Sequence, residues 1–159
     1  MDKVPFTFSG LEKIKLELDN LKKIERPQVI QAISVAREHG DLKENAEYHA
    51  AKEKQAFIEG RITELEDVTS RAEVIDLTRL SGETVTFGTK VSIVDEENDQ
   101  ETNYQIVGSY EANLEEGLIS VSSPIAKALI GKEVGMSVAV TTPGGTKNYE
   151  ILTIEVLKS

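Results

Sequence analysis

Two carboxylates, Asp41 and Glu44, stand three residues apart in the stretch Arg37-Glu38-His39-Gly40-Asp41-Leu42-Lys43-Glu44-Asn45-Ala46-Glu47-Tyr48-His49. Side chains three apart near a helix start lie on one side, so the pair can offer its oxygens together. Ionised oxygen suits a hard cation such as Mg2+, which is usually held by one or two carboxylates plus substrate oxygens and waters. Two acids alone bind such an ion weakly, and no nuclease activity of their own is expected from them. Asp-x-x-Glu at a helix start is equally a capping box, with Asp41 accepting from the third helical N–H and Glu44 reaching back. One carboxylate oxygen can cap while the other faces an ion, so both readings stand. Arg37, Lys43 and Lys52 can meet phosphate. They can also belong to a solvated face, because Glu38, Glu47 and Glu53 interleave with them. Tyr48 can stack on a base or pack between helices. His39 and His49 have no visible ligand set. With no cysteine in the chain, disulfides, thiolate zinc sites and thiol catalysis are excluded.

The flanking periodicity shows what presents this stretch. Thr7 is a plausible N-cap. Leu11, Ile14, Leu18 and Leu21 follow at coiled-coil spacing. Pro27 is expected to bend the helix or shift its register, after which Ile30, Ile33 and Ala36 resume. Arg37 to Gly40 reads as a helix end. A second run passes through Ala51, Gln55, Ile58, Ile62, Leu65, Thr69 and Ala72. Two helical runs of ~30 residues joined by a short turn must fold back antiparallel, each ~45 Å long, with the acidic stretch at the tip. From about Asp76 the pattern turns to short strand-type runs: Val85 to Phe87, Val91 to Val94, Tyr104 to Val107, Leu118 to Val121, Val138 to Val140 and Tyr149 to Leu157. Pro124 to Ile130 fits one short helix. Ser122, Ser123 and Pro124 read as a strand-to-helix turn with serine as cap and proline in the first turn. The expected organisation is α+β: a helical hairpin over residues 1–76, then an antiparallel sheet with one short helix over 77–159.

The stretch from Ala36 to Glu53 closely resembles the tip signature of the bacterial Gre transcript-cleavage factors, GreA type. The likeness extends along the chain, through Gly10-Leu11-Glu12-Lys13, Arg26-Pro27, Gly60-Arg61-Ile62, Phe87-Gly88, Ser123-Pro124-Ile125-Ala126, Leu129-Ile130-Gly131-Lys132 and Thr142-Pro143-Gly144-Gly145. The resemblance implies that the hairpin enters the secondary channel of RNA polymerase. There Asp41 and Glu44 would help hold a second Mg2+ and orient a water, and the polymerase would cut its own backtracked RNA. Arg37, Lys43, Lys52 and Tyr48 would lie near RNA or polymerase. The second domain, FKBP-like by resemblance, would dock at the channel entrance through a loop that falls at Ser122, Ser123 and Pro124.

Composition bounds these expectations. The 159 residues carry a net charge of −10, distributed as −3 over residues 1–75 and −7 over 76–159. Free nucleic-acid binders carry basic surfaces, so autonomous DNA or RNA binding is disfavoured. No apolar run approaches the ~20 residues of a membrane helix, and the start has no signal-peptide core. A monomeric factor of the bacterial cytoplasm is expected. Two rivals remain: a channel-binding regulator that stimulates no cleavage, and an FKBP-like chaperone or prolyl isomerase. Aromatic residues at 5% and no tryptophan make poor material for a proline pocket.

Overall fold

The computed structural model describes residues 2–42 and 44–156. Lys43 therefore lies outside the described residues. The chain divides into two compact units. One comprises Glu12–Arg71, and the other joins Asp2–Leu11 to the residues from Ala72 onward. The division falls at Arg71, a few residues before the change of period near 76. Strand β1 (Val4–Phe6) pairs in parallel with β2 (Ala72–Val74), which draws both chain segments into the second unit.

The first unit is a helical hairpin. Helix α1 (Phe8–Asn20) runs into a π-helical turn over Leu21–Glu25 and then α2 (Arg26–Arg37). The π turn answers Pro27, which stands at the start of α2. Proline has no N–H, and its ring crowds the carbonyl four residues earlier. A wider turn relieves both, and the Arg26 N–H bonds back to the Leu21 carbonyl across five residues. The wider turn also moves the buried stripe. It passes through Ile14, Leu21, Val29 and Ala36, whereas Ile30, expected inside, is 52% exposed. On the returning helix α3 (Ala46–Ser70), the buried side chains are Ala51, Ile58, Ile62, Leu65 and Val68. The last turn thus buries Val68 rather than Thr69, whose hydroxyl bonds back to the Leu65 carbonyl at 2.9 Å.

Charged pairs line this seam. Arg26 grips Glu59 through two bonds of 2.8 Å, Lys22 meets Glu66 at 2.6 Å, and Arg61 takes Glu17 at 2.7 and 3.1 Å. The bond from Arg26 holds the Glu59 carboxyl below its usual range. Arg61 is raised above its usual range, first by its bond to Glu17. Exposed pairs of this kind contribute little. Each large apolar side chain buried in the seam contributes roughly 1.5–3 kcal/mol.

The second unit is built on a five-stranded sheet of order β5-β4-β3-β7-β6, from β3 (Thr89–Asp95), β4 (Glu101–Val107), β5 (Leu118–Ser120), β6 (Ser137–Thr142) and β7 (Gly145–Val156). Neighbours are antiparallel except β4 and β5, which run parallel. Burial alternates along β3 at the strand period, with Thr89, Val91, Ile93 and Asp95 inside. Helix α4 (Pro124–Leu129) adds Ala126 and Leu129 to a core that includes Ile106, Ile119, Val138, Val140 and Ile151. Val85 to Phe87 is not a strand. Thr86 and Thr89 close a turn through reciprocal bonds, Thr86 N–H to Thr89 Oγ1 at 3.1 Å and Thr89 Oγ1–H to the Thr86 carbonyl at 2.8 Å, so no ladder propagates. Buried Val85 instead exchanges backbone bonds with Gly131 and Lys132.

Thr7 caps α1, its hydroxyl accepting from the Gly10 N–H at 3.1 Å. The Glu111 carboxylate accepts from the Thr7 N–H at 3.1 Å, from the Thr7 hydroxyl and from the Gly108 N–H at 2.9 Å. Gly10 leaves room for it: a Cβ there would stand 1.8 Å from a Glu111 carboxylate oxygen. Among the described residues, no helix is long and apolar enough to cross a membrane.

Candidate functional site

The two hairpin arms meet in a turn that carries the candidate acids. Helix α2 ends at Arg37, and Glu38 follows as C-cap. Gly40 then adopts φ +102°, a left-handed region open to glycine and costly for other residues. Asp41, Leu42 and Glu44 lie in the turn, outside any helix.

The capping-box reading of Asp41 and Glu44 fails, as does their placement on a shared helix face. The N-cap of α3 is Asn45, whose side-chain oxygen accepts from the Tyr48 N–H at 3.0 Å. The sequence carries a signal for this, since Asn directly before Ala-Glu-Tyr opens a helix as well as Asp four residues earlier does. Asn45 also donates its Nδ2 to the Ala36 carbonyl at 2.6 Å, tying the end of one arm to the start of the other.

Asp41 and Glu44 are nonetheless brought together. Both are exposed and line one open concavity of about 490 Å³ with His39, Asn45, Ala46 and Glu47. His39 Nε2 lies 3.9 Å from Glu47 Oε2 and spans the two helix ends. Among the described residues, no three acids or histidines converge as a metal cage. Two exposed carboxylates on an open surface suit an ion such as Mg2+ whose remaining ligands come from elsewhere. The donor set fits a shared hard cation.

The bases divide. Arg37 and Lys52 line a groove with Ile30, Ile33, Ser34 and Gln55, on facing helices. Lys52 donates to Gln55 Oε1 at 3.3 Å, and neither base makes a salt bridge among the described residues. Both bases are exposed, which suits a solvated face as well as a phosphate contact. Tyr48 is half-buried, and its ring meets His49 edge-on with centroids 5.6 Å apart.

In the second unit, Ser123 caps α4 by accepting from the Ala126 N–H at 3.2 Å, and Pro124 opens that helix. The exposed Ser122 hydroxyl sits 2.7 Å from that of Ser120 and 3.4 Å from that of Ser109. The strand-to-helix turn is as expected, and Ser122 and Pro124 remain exposed on it.

Comparison with known proteins covers both units. Residues 4–74 match the family described as transcription elongation factor, N-terminal, and residues 80–156 match transcription elongation factor, GreA/GreB, C-terminal. A "Transcription elongation factor GreA" of Rhodospirillum rubrum is 63% identical over 151 residues, covering 95% of this chain and 96% of its own. The protein of the same description from Ruegeria pomeroyi is 61% identical over 155 residues, covering 98% and 99%. Among solved structures, that of the transcription factor Gfh1 is 30% identical with a TM-score of 0.47, covering 97% of this chain and 99% of its own.

Proposed function

The chain belongs to the GreA/GreB family of transcription elongation factors, and on that premise we propose that it enters the secondary channel of bacterial RNA polymerase and makes a backtracked enzyme cut its own nascent RNA. It is an accessory factor of the polymerase and works in the bacterial cytoplasm as a monomer. The observation that carries the reading is the joint exposure of Asp41 and Glu44 on one open concavity at the hairpin tip. An open pair of carboxylates can complete a metal site that another protein begins. A second Mg2+ supplies a bound hydroxide and neutralises charge developing on the phosphate. Asp41 and Glu44 would hold that ion jointly with polymerase, and their oxygens would orient the attacking water.

Arg37 and Lys52, in their shared groove, would meet RNA phosphate or polymerase acids near the 3′ end of the transcript. Lys43 and Tyr48 are proposed as neighbours of the same contact. The turn Ser122, Ser123 and Pro124 would dock at the channel rim, with Ser122 and Pro124 presenting the exposed part. Matches along both units favour this role over a chaperone or prolyl isomerase. The test is RNA shortening in a halted, backtracked elongation complex with and without the chain. Faster shortening supports the reading. No acceleration, with the chain bound to polymerase, would leave a channel-binding regulator without cleavage activity.

A further inference from the structure

The tip acids sit in a turn, and a turn must be held if two carboxylates are to share one ion. Gly40, with φ +102° and no neighbour that a Cβ would meet, allows the reversal without fixing it. His39 and Glu47 are mostly exposed and 3.9 Å apart, a contact that constrains little.

Asn45 is different. Its amide uses both ends: the oxygen accepts from the Tyr48 N–H at 3.0 Å and the nitrogen donates to the Ala36 carbonyl at 2.6 Å. Ala36 is 2% exposed and lies in the last turn of α2, and its carbonyl also accepts from the His39 N–H at 3.1 Å, so Asn45 fills its second lone pair. The two bonds admit one amide orientation only, because the reversed amide would set oxygen against the Ala36 carbonyl and nitrogen against the Tyr48 N–H. Asn45 thus closes the loop across nine residues and clamps the segment that contains Asp41 and Glu44. We infer that Asn45 is a positioning residue for the tip carboxylates: it fixes where Asp41 and Glu44 stand by locking the turn between the two helix ends. The inference rests on the proposed role of these two acids in cleavage.

Asn45→Asp tests it. The carboxylate caps α3 as well as the amide does but has no N–H for Ala36, and would face that carbonyl with oxygen. Asn45→Ser is the neutral control: serine also caps a helix, and its hydroxyl is too short to reach both partners. In the isolated chain, amide hydrogen exchange should stay slow at the Tyr48 N–H in Asn45→Asp. Exchange should quicken across Glu38 to Leu42 in both variants. In a backtracked complex, maximal cleavage at saturating factor should fall at least about tenfold for both, since misplacing reacting groups by ~1 Å can cost a factor of about 100. The factor concentration for half-maximal effect should stay within about twofold, because a clamped turn adds nothing to docking, which the proposed function assigns to the second unit.

Parent-like maximal cleavage in either variant overturns the inference. So does a loss seen only as a raised half-maximal concentration, or exchange across Glu38 to Leu42 that matches the parent. The parent and Asp41→Asn run alongside. If the parent itself stimulates no cleavage, the functional reading fails and this inference falls with it. If the parent cleaves, Asp41→Asn does not, and the Asn45 variants match the parent, the inference alone fails.

Discussion

Asp41 is followed by a helix start that Asn45 caps, and this sharpens what substitution at Asp41 can show. Had Asp41 been the cap, its loss would have cost about 0.5–2 kcal/mol of stability along with any chemistry. Asp41→Ala should instead leave helix content and thermal midpoint close to the parent's, and Asp41→Ala and Asp41→Asn should both cut stimulated cleavage by about 100-fold, the scale of removing a preorganised charge-stabilising group. Glu44→Gln should act alike, and raised Mg2+ should partly rescue each. Circular dichroism and the rate of RNA shortening check the two halves of this statement. Arg37→Ala with Lys52→Ala should raise the concentration for half-maximal cleavage without lowering the maximum. Each base that neutralises a phosphate should, on removal, reduce the slope of log affinity against log salt by about 1; an unchanged slope removes both bases from RNA contact. That Asp41 and Glu44 sit together at the tip was legible from the two helical runs that flank them, but their spacing of three misled, since it points to a shared helix face and both lie in the turn. Asn45 was not legible, because an amide that joins two helix ends looks like any other Asn until both partners are placed.

At the scale of elements, the hairpin's two runs and its turn followed from periodicity, and four of the five side chains buried by α3 lay on the expected stripe. The register of α2 did not. Proline announces that a helix must adjust but not how, and the π turn at Leu21–Glu25 moved the buried stripe from Ile30 to Val29. Leu65, fully buried on that seam, should lose about 2–5 kcal/mol on replacement by alanine, measurable as a fall in the urea midpoint. The Arg26–Glu59 pair makes a prediction about acid. Because Arg26 holds the Glu59 carboxyl below its usual range, the pair's contribution is present at neutral pH and is lost as pH falls through that depressed range. Glu59→Gln should therefore be slightly less stable than the parent near pH 7, and the gap should close on acidification through and below the usual carboxylate range. A gap that stays constant with pH would assign the effect to packing.

At the scale of the molecule, the change from helical to strand period located two units but not their membership. β1 lies far from β2 in sequence and reads as an ordinary three-residue lead-in. Its parallel pairing with Ala72–Val74, and the Glu111 clamp on Thr7, place the first residues in the second unit. A fragment beginning at residue 78 would discard β1, β2 and that clamp, so docking is better tested in the full chain. The double variant Asp41→Asn with Glu44→Gln should bind polymerase with parent-like affinity and inhibit cleavage by competing with the parent. A double variant that fails to compete would show that the tip acids contribute to binding rather than chemistry. The central claim, that the tip carboxylates complete the polymerase's own cleavage site, reduces to one measurement: the rate of RNA shortening in a backtracked elongation complex at saturating Asp41→Asn, with occupancy of the polymerase verified by competition. The account predicts full occupancy with a rate near that of polymerase alone; full occupancy with a rate near that of the parent chain would contradict it.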